Sequence, residues 1–232
     1  LLFRYEVTQP ITLNGDRRID KQMKIAAQYL LHKKGIAASN GIESGAFFRS
    51  RPEETRPDIQ LHFVPANMNG LIEKLPKQHG ITLHACNLRP KSRGSITLAS
   101  SNPLDAPVVD FNFLAEEDDW QTMLRAFHWS QELMAAKAWG GLIGKPLVPN
   151  TVCRSEDEMR RAILHITDSV YHPVGSCRMG IGDDAVVDPQ LRVHGLQGLR
   201  IADTSIMPTL IGGNTNAPAM MIGEKCAGMM VG

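Results

Sequence analysis

The chain has 232 residues, of which 43% are hydrophobic and 21% charged, with 25 Lys and Arg against 24 Asp and Glu. That length holds one or two domains, and that composition supports a packed core. The charge balance leaves no electrostatic footprint for nucleic acid and no polybasic membrane anchor, and no apolar run is long enough to span a bilayer.

Taken in order, residues 1–40 are mixed, except that IDKQMKIAAQYLLHKKG (19–35) sets Met23, Ala26, Ala27, Leu30 and Leu31 at helical spacing before a stop at Gly35. SNGIESGAFFRS (39–50) brackets Glu43 with glycines. Four strand-like runs follow: DIQLHFVPA (58–66), ITLHACNL (81–88), SITLAS (95–100) and PVVDFNF (107–113). Each is short, rich in β-branched or aromatic residues, and bounded by Gly, Pro or Asn, which predicts an antiparallel sheet with one solvated face. A helix is predicted over 116–137, with Trp120, Leu124, Phe127 and Met134 on one stripe and Gly140-Gly141 beyond it. Ser155 and Glu158 form a capping box that opens another helix. Residues 171–218 are rich in Gly, Pro and Asn, with one clear strand, LRIAD (199–203), and a small-residue helix closes the chain over about 217–230. The layout is α+β.

The late loops carry the candidate chemistry. YHPVGSCRMG (171–180) holds a histidine, the side chain best placed to move protons near neutral pH. Pro173 keeps His172 extended, and Gly175 admits a close neighbour. A rigid backbone suits a positioned base, but a core histidine before a turn explains the decapeptide as well. VVDPQLRVHGLQGLRIADTSIMP (186–208) ends a strand at Asp203, whose carboxylate suits a ribityl or ribose hydroxyl, or a turn. IGGNTNAPAMMIGEK (211–225) sets Asn214 and Asn216 after two glycines, with Pro218 in the first turn of a helix whose free N–H groups suit an anion. Alone, that stretch is a plain capped helix. The four cysteines, Cys86, Cys153, Cys177 and Cys226, form no CxxC pair and point to a reducing, cytoplasmic compartment. Cys177 beside Arg178 is expected to be a small buried thiol rather than a reactive thiolate.

These three stretches, in this order and spacing, resemble the C-terminal signature of the glucose–methanol–choline (GMC) family of flavin oxidoreductases, above all its choline-dehydrogenase-like and alcohol dehydrogenase members. The match is dense over 171–225 and looser through SNGIESGAFFRS and LRPKSRGSITL. The resemblance implies FAD as cofactor and a primary alcohol, choline-like or aliphatic, oxidised to its aldehyde. It implies that His172 is the base, that Asn214 donates a hydrogen bond to the developing alkoxide, and that the flavin takes the hydride at its N5 atom. It places FAD contacts at Asp203, Thr215, Asn216 and Ala217, and a substrate-binding carboxylate at Glu43, which serves a cationic head in choline-using members and reads equally as a turn carboxylate. The electron acceptor, whether quinone, carrier or oxygen, stays open, as does peripheral association with the inner membrane through a quinone partner.

A GxGxxG turn between an early strand and a helix, which would seat the pyrophosphate, is not in this sequence: IGIGDD, GGLIGK and IGGN lack its spacing. The resemblance therefore implies that the N-terminal Rossmann half is absent and would be the intramolecular partner. It divides the chain into a connecting segment (1–40), a substrate-binding domain of antiparallel sheet and flanking helices (41–168), and the returning strand and helix of the FAD-binding domain (169–232). The isolated chain is expected not to retain FAD, not to turn over alcohols, and to expose apolar surface over 169–232. Three rival readings stand beside this one. A hydrolase would use Ser176 with His172 and Asp168, but no GxSxG elbow is present. A metal site would need a ligand spacing that the eight histidines do not show, so no metal is expected. A truncated, partner-binding relative would explain the missing flavin seat.

Overall fold

The computed structural model describes residues 1–14, 19–68 and 76–231. It divides into two compact units, Leu1–Asn87 with Gln121–Asp168 and Leu88–Trp120 with Ser169–Gly232.

The first unit is built on a five-stranded antiparallel sheet in the order β2-β3-β4-β1-β7. Its strands are β1 (Leu2–Val7), β2 (Ser44–Phe48), β3 (Ile59–Val64), β4 (Gly80–Asn87) and β7 (Ile143–Val148). The two strand-like runs at 58–66 and 81–88 become β3 and β4, paired from Ile59↔Asn87 to Val64↔Thr82. The expectation of one solvated face does not hold for them. Ile59, Gln60, Leu61 and His62 are buried in succession, as are Ile81, Thr82 and Leu83. Both faces of the middle of the sheet are therefore covered, which removes the polar alternation of a half-exposed sheet. β1 does alternate, with Phe3, Tyr5 and Val7 buried.

Helix α2 (Glu117–Met134) buries Leu124, Phe127 and Met134 of the predicted stripe, while Trp120 at its start is half-buried. The ring of Phe127 meets that of Phe3 edge-on at 4.9 Å. The helix ends at Met134; a short 3-10 turn, Lys137–Trp139, then leads to the left-handed Gly140. The buried Asp58 carboxylate ties α2 to the turn before β3. It accepts from Ser50 N at 2.7 Å and Ser50 Oγ at 2.5 Å, while Arg125 Nε donates to that Oγ at 2.7 Å. Helix α3 (Glu156–Ile166) opens with the expected capping box, with Ser155 accepting from Glu158 N and Glu158 accepting from Ser155 N. Helix α1 (Ile19–His32) stops before Gly35, but its apolar stripe is not buried: Met23, Leu30 and Leu31 are exposed.

The second unit holds the runs at 95–100 and 107–113, which form a separate two-stranded ribbon, β5 (Ser95–Thr97) and β6 (Val108–Asp110), rather than joining the main sheet. LRIAD contributes an isolated antiparallel bridge, Arg192↔Arg200, where a strand was expected. Helix α4 (Asn216–Val231) closes the chain. Val187, Leu191, Ile206, Met207, Ile222 and Cys226 form this unit's core cluster. Among the described residues no helix is long and apolar enough to cross a membrane.

Candidate functional site

The loop that carries His172 is held by its own backbone. Tyr171 stands at φ 61° and Gly175 at φ 85°. A side chain at Gly175 would place its Cβ 3.2 Å from the Met207 carbonyl, so the glycine allows two stretches of backbone to meet. Three further bonds fasten the same two stretches. Thr204 Oγ1 donates to Pro173 O at 3.3 Å, Cys177 N to Ser205 O at 3.0 Å, and Met179 N to Ile206 O at 2.8 Å. His172 itself is half-buried, and that burial pushes its pKa below the ordinary histidine value. At neutral pH the ring is therefore uncharged and able to take a proton.

Asp203 is exposed and caps the 3-10 turn Thr204–Ile206, its Oδ1 accepting from Ser205 N at 2.7 Å. Thr215 is buried at the start of α4, and its carbonyl accepts the first helical bond from Ala219 N at 3.0 Å. The amides of Asn216 and Ala217 then lie in the first helical turn, where no intrahelical acceptor exists, and Pro218 has no N–H to satisfy. Asn214 is exposed just before that turn.

The two motifs share an anchor. Val174, two residues after His172, and Ile211, three before Asn214, both pack against the cluster containing Ile206 and Ile222. The structure thus gathers the His172 loop, the Asp203 cap and the start of α4 onto one core. Glu43 belongs to the first unit, exposed just ahead of β2, and accepts a hydrogen bond from Ser39 Oγ, which in turn accepts from Gly41 N at 2.9 Å. Cys177 is half-buried rather than buried, and its backbone N–H donates to Ser205 O at 3.0 Å. Ser176 is exposed in the same loop.

Two groups carry more of the site's architecture than their sequence context suggests. Arg89 lays its guanidinium against Gly212, so that a Cβ there would fall 2.2 Å from Nη2 and 2.6 Å from Cζ. The buried Asp119 carboxylate gathers the loop just after Arg89, accepting from Lys91 N at 2.8 Å, Ser92 N at 2.8 Å and Ser92 Oγ at 2.5 Å. The run LRPKSRG signals a turn in sequence, but nothing in it shows which distant glycine the arginine meets.

These groups fit a flavin in part. First-turn amides without an intrahelical acceptor suit an electron-rich ring edge, and an exposed carboxylate suits hydroxyls. The pyrophosphate seat has no counterpart in this sequence.

A family model described as GMC oxidoreductase matches residues 90–223. An oxygen-dependent choline dehydrogenase of Brucella melitensis is 40% identical over 229 residues, covering 98% of this chain and 42% of that protein. An alcohol dehydrogenase [acceptor] of Pseudomonas putida is 42% identical over 203 residues, covering 88% of this chain and 37% of that protein. Among solved structures, a formate oxidase of Aspergillus oryzae RIB40, studied for modification of its FAD, aligns with a TM-score of 0.88 at 25% identity, over 99% of this chain and 45% of the other. The chain spans less than half the length of the curated relatives it matches.

Proposed function

The chain belongs to the GMC oxidoreductase family, and on that premise we propose that it is the substrate-domain and C-terminal part of an FAD-dependent enzyme that oxidises a primary alcohol, choline-like or aliphatic, to its aldehyde. The observation that carries this reading is the shared anchoring of the His172 loop and the Asn214 turn on one apolar cluster. Residues 1–40 would connect to the flavin domain, 41–168 would bind substrate, and 169–232 would complete the flavin domain. The remaining half of the enzyme would supply the pyrophosphate seat, so the isolated chain is expected neither to retain FAD nor to turn over.

Oxidation of R–CH2–OH to R–CHO removes a proton from oxygen and two electrons with a proton from carbon. The His172 imidazole accepts the hydroxyl proton, for which its lowered pKa keeps it neutral. The Asn214 side-chain amide donates to the oxygen as negative charge develops there, which stabilises the transition state more than the neutral alcohol. FAD, when bound, supplies the two-electron oxidant for the carbinol carbon. Thr215, Asn216 and Ala217 would hold it at the start of α4, where the helix dipole favours negative charge, and the Asp203 carboxylate would accept from its hydroxyls. Glu43 would meet the substrate's cationic head if the alcohol is choline-like.

In the full-length enzyme, His172→Ala is expected to slow flavin reduction by about 10²–10⁴-fold while flavin content is unchanged. Stopped-flow reduction by alcohol that stays fast in this variant removes His172 from the base role.

A further inference from the structure

His172 hangs on backbone with few soft joints. Pro173 follows it, and the proline ring locks φ at about −65°. The orientation of the Pro173 carbonyl therefore sets the frame from which the imidazole projects. That carbonyl accepts from Thr204 Oγ1 at 3.3 Å. The backbone bonds that tie the loop to the same turn start farther along, at Cys177 N and Met179 N. Val174 is held by apolar packing, which is not directional and does not orient a peptide. On the other side of His172, Tyr171 N donates to Ser169 Oγ at 2.9 Å, a bond within the loop that moves with it. Among the described residues, the Thr204 hydroxyl is thus the directional contact nearest to His172 on its C-terminal side. It comes from a side chain, so a substitution removes it while the backbone bonds remain.

Thr204 is itself held. It opens the 3-10 turn Thr204–Ile206, which Asp203 caps through Ser205 N at 2.7 Å. Ile206 N to Asp203 O at 3.3 Å and Met207 N to Thr204 O at 3.2 Å close that turn, and Ile206 and Met207 are buried in the core cluster. The branched Cβ of threonine restricts χ1, so on a fixed backbone the hydroxyl has few directions open to it. We propose that Thr204 is a positioning residue for His172: its hydroxyl, donating to Pro173 O from a turn anchored in the core, holds the imidazole at the angle from which it takes the alcohol proton. This rests on the base role proposed for His172 above, through which Thr204 acts without touching the substrate.

The test uses the full-length enzyme with its flavin. Thr204→Val keeps the branched shape and removes the donor. It is expected to slow flavin reduction by alcohol about threefold to tenfold, the range that one ordinary hydrogen bond controls. KM and flavin content are expected to change little, and the melting temperature to stay near wild type. Amide exchange at Val174 and Gly175 is expected to quicken by about threefold, independently of turnover. Thr204→Ser keeps a hydroxyl and is expected to recover most of the rate. Combined with His172→Ala, Thr204→Val is expected to cause no further loss, since a positioning effect vanishes with the group it positions. If Thr204→Val fails to fold, Thr204→Ala removes the same donor with less bulk and carries the same expectations. Wild-type reduction in the folded variant, a Ser variant as slow as the Val variant, loss of flavin from the Val variant, or losses that multiply in the double variant would each overturn the proposal. If His172→Ala alone keeps fast reduction, the proposed function fails instead. Exchange then decides Thr204: acceleration at 174–175 sustains its hold on the loop, and unchanged exchange overturns it.

Discussion

Removing the Asp119 carboxylate should loosen the loop that carries Arg89. Asp119 is 4% exposed, and among its donors are Lys91 N, which reaches both oxygens at 2.8 and 3.1 Å, Ser92 N at 2.8 Å, and Ser92 Oγ at 2.5 Å. A hydrogen bond to a charged acceptor contributes about 1.5–3 kcal/mol, but donors sharing one carboxylate do not add independently, and a loop amide recovers some water when released. Asp119→Ala is therefore expected to lower the local opening free energy by about 3 kcal/mol, which corresponds to about a hundredfold faster amide exchange at Lys91 and Ser92. Asp119→Asn keeps the shape and one acceptor oxygen and should accelerate exchange by about tenfold. Asp118→Ala is the control. Asp118 pairs with Lys91 Nζ at the surface, where an exposed ion pair contributes little, so exchange should stay put. Hydrogen exchange read by mass spectrometry on peptides spanning 88–93 measures all three. Exchange in Asp119→Ala within about twofold of wild type would mean that the carboxylate is not what holds this loop.

The first unit's core gives a second expectation. Phe127 is fully buried against Phe3, so Phe127→Ala should cost about 3–5 kcal/mol, read as a lowered denaturation midpoint, and an unchanged midpoint would contradict that packing. Gly175→Ala should cost about 1–3 kcal/mol, because it puts a side chain at φ 85° with the Met207 carbonyl 3.2 Å from its Cβ, and a thermal melt checks it. The pH dependence follows from burial of His172, which lowers its pKa below the ordinary value of about 6.5. The neutral ring is the accepting form, so kcat/KM should fall as pH drops through that lowered pKa and stay level above it. The unfolded chain binds the proton more readily, so the stability tied to this group is present above pH about 6.5 and declines as pH falls below it. An acid limb centred above pH about 6.5 in kcat/KM would contradict the assignment.

Elements with strong local signals were readable in the sequence. The capping box at Ser155 and Glu158, the stripe Leu124–Phe127–Met134 and the runs that became β3 and β4 each carry their own cause, a cap or a period. β1 was not readable, because LFRYEV finds its partners far along the chain, in β4 and β7. β7 contains Gly144 and Pro146, which argue against a strand in isolation, yet at the edge of the sheet the missing proline N–H faces no neighbouring strand. LRIAD erred the other way. Its alternation of Leu199 and Ile201 with Arg200 suits a strand, but its backbone makes bonds to nearby loops, such as Ile201 N to Leu191 O and Val193 N to Leu199 O. In the candidate site, the residue types of His172, Asn214 and Asp203 were visible, but their common anchoring was not. It depends on Val174, Ile206, Ile211 and Ile222 meeting in one cluster, and no local period encodes that meeting.

Gly175 and Gly212 look alike in sequence, one glycine in each motif, but the groups that fill their missing side chains differ in kind. Behind Gly175 stands a backbone carbonyl, that of Met207, which is held by the bonds joining 173–179 to 204–206. It cannot retreat without opening those bonds, so an added methyl there acts on the fold. Behind Gly212 stands the guanidinium of Arg89, the far end of a long side chain rather than backbone. An added methyl there displaces Arg89 and leaves the backbone bonds intact. Gly175→Ala should therefore lower the melting temperature and reduce activity only as far as it unfolds the loop. Gly212→Ala should lower the melting temperature less than Gly175→Ala does. If Gly212→Ala melts as low as Gly175→Ala, the guanidinium is as fixed as the Met207 carbonyl, and the two glycines do not differ in kind.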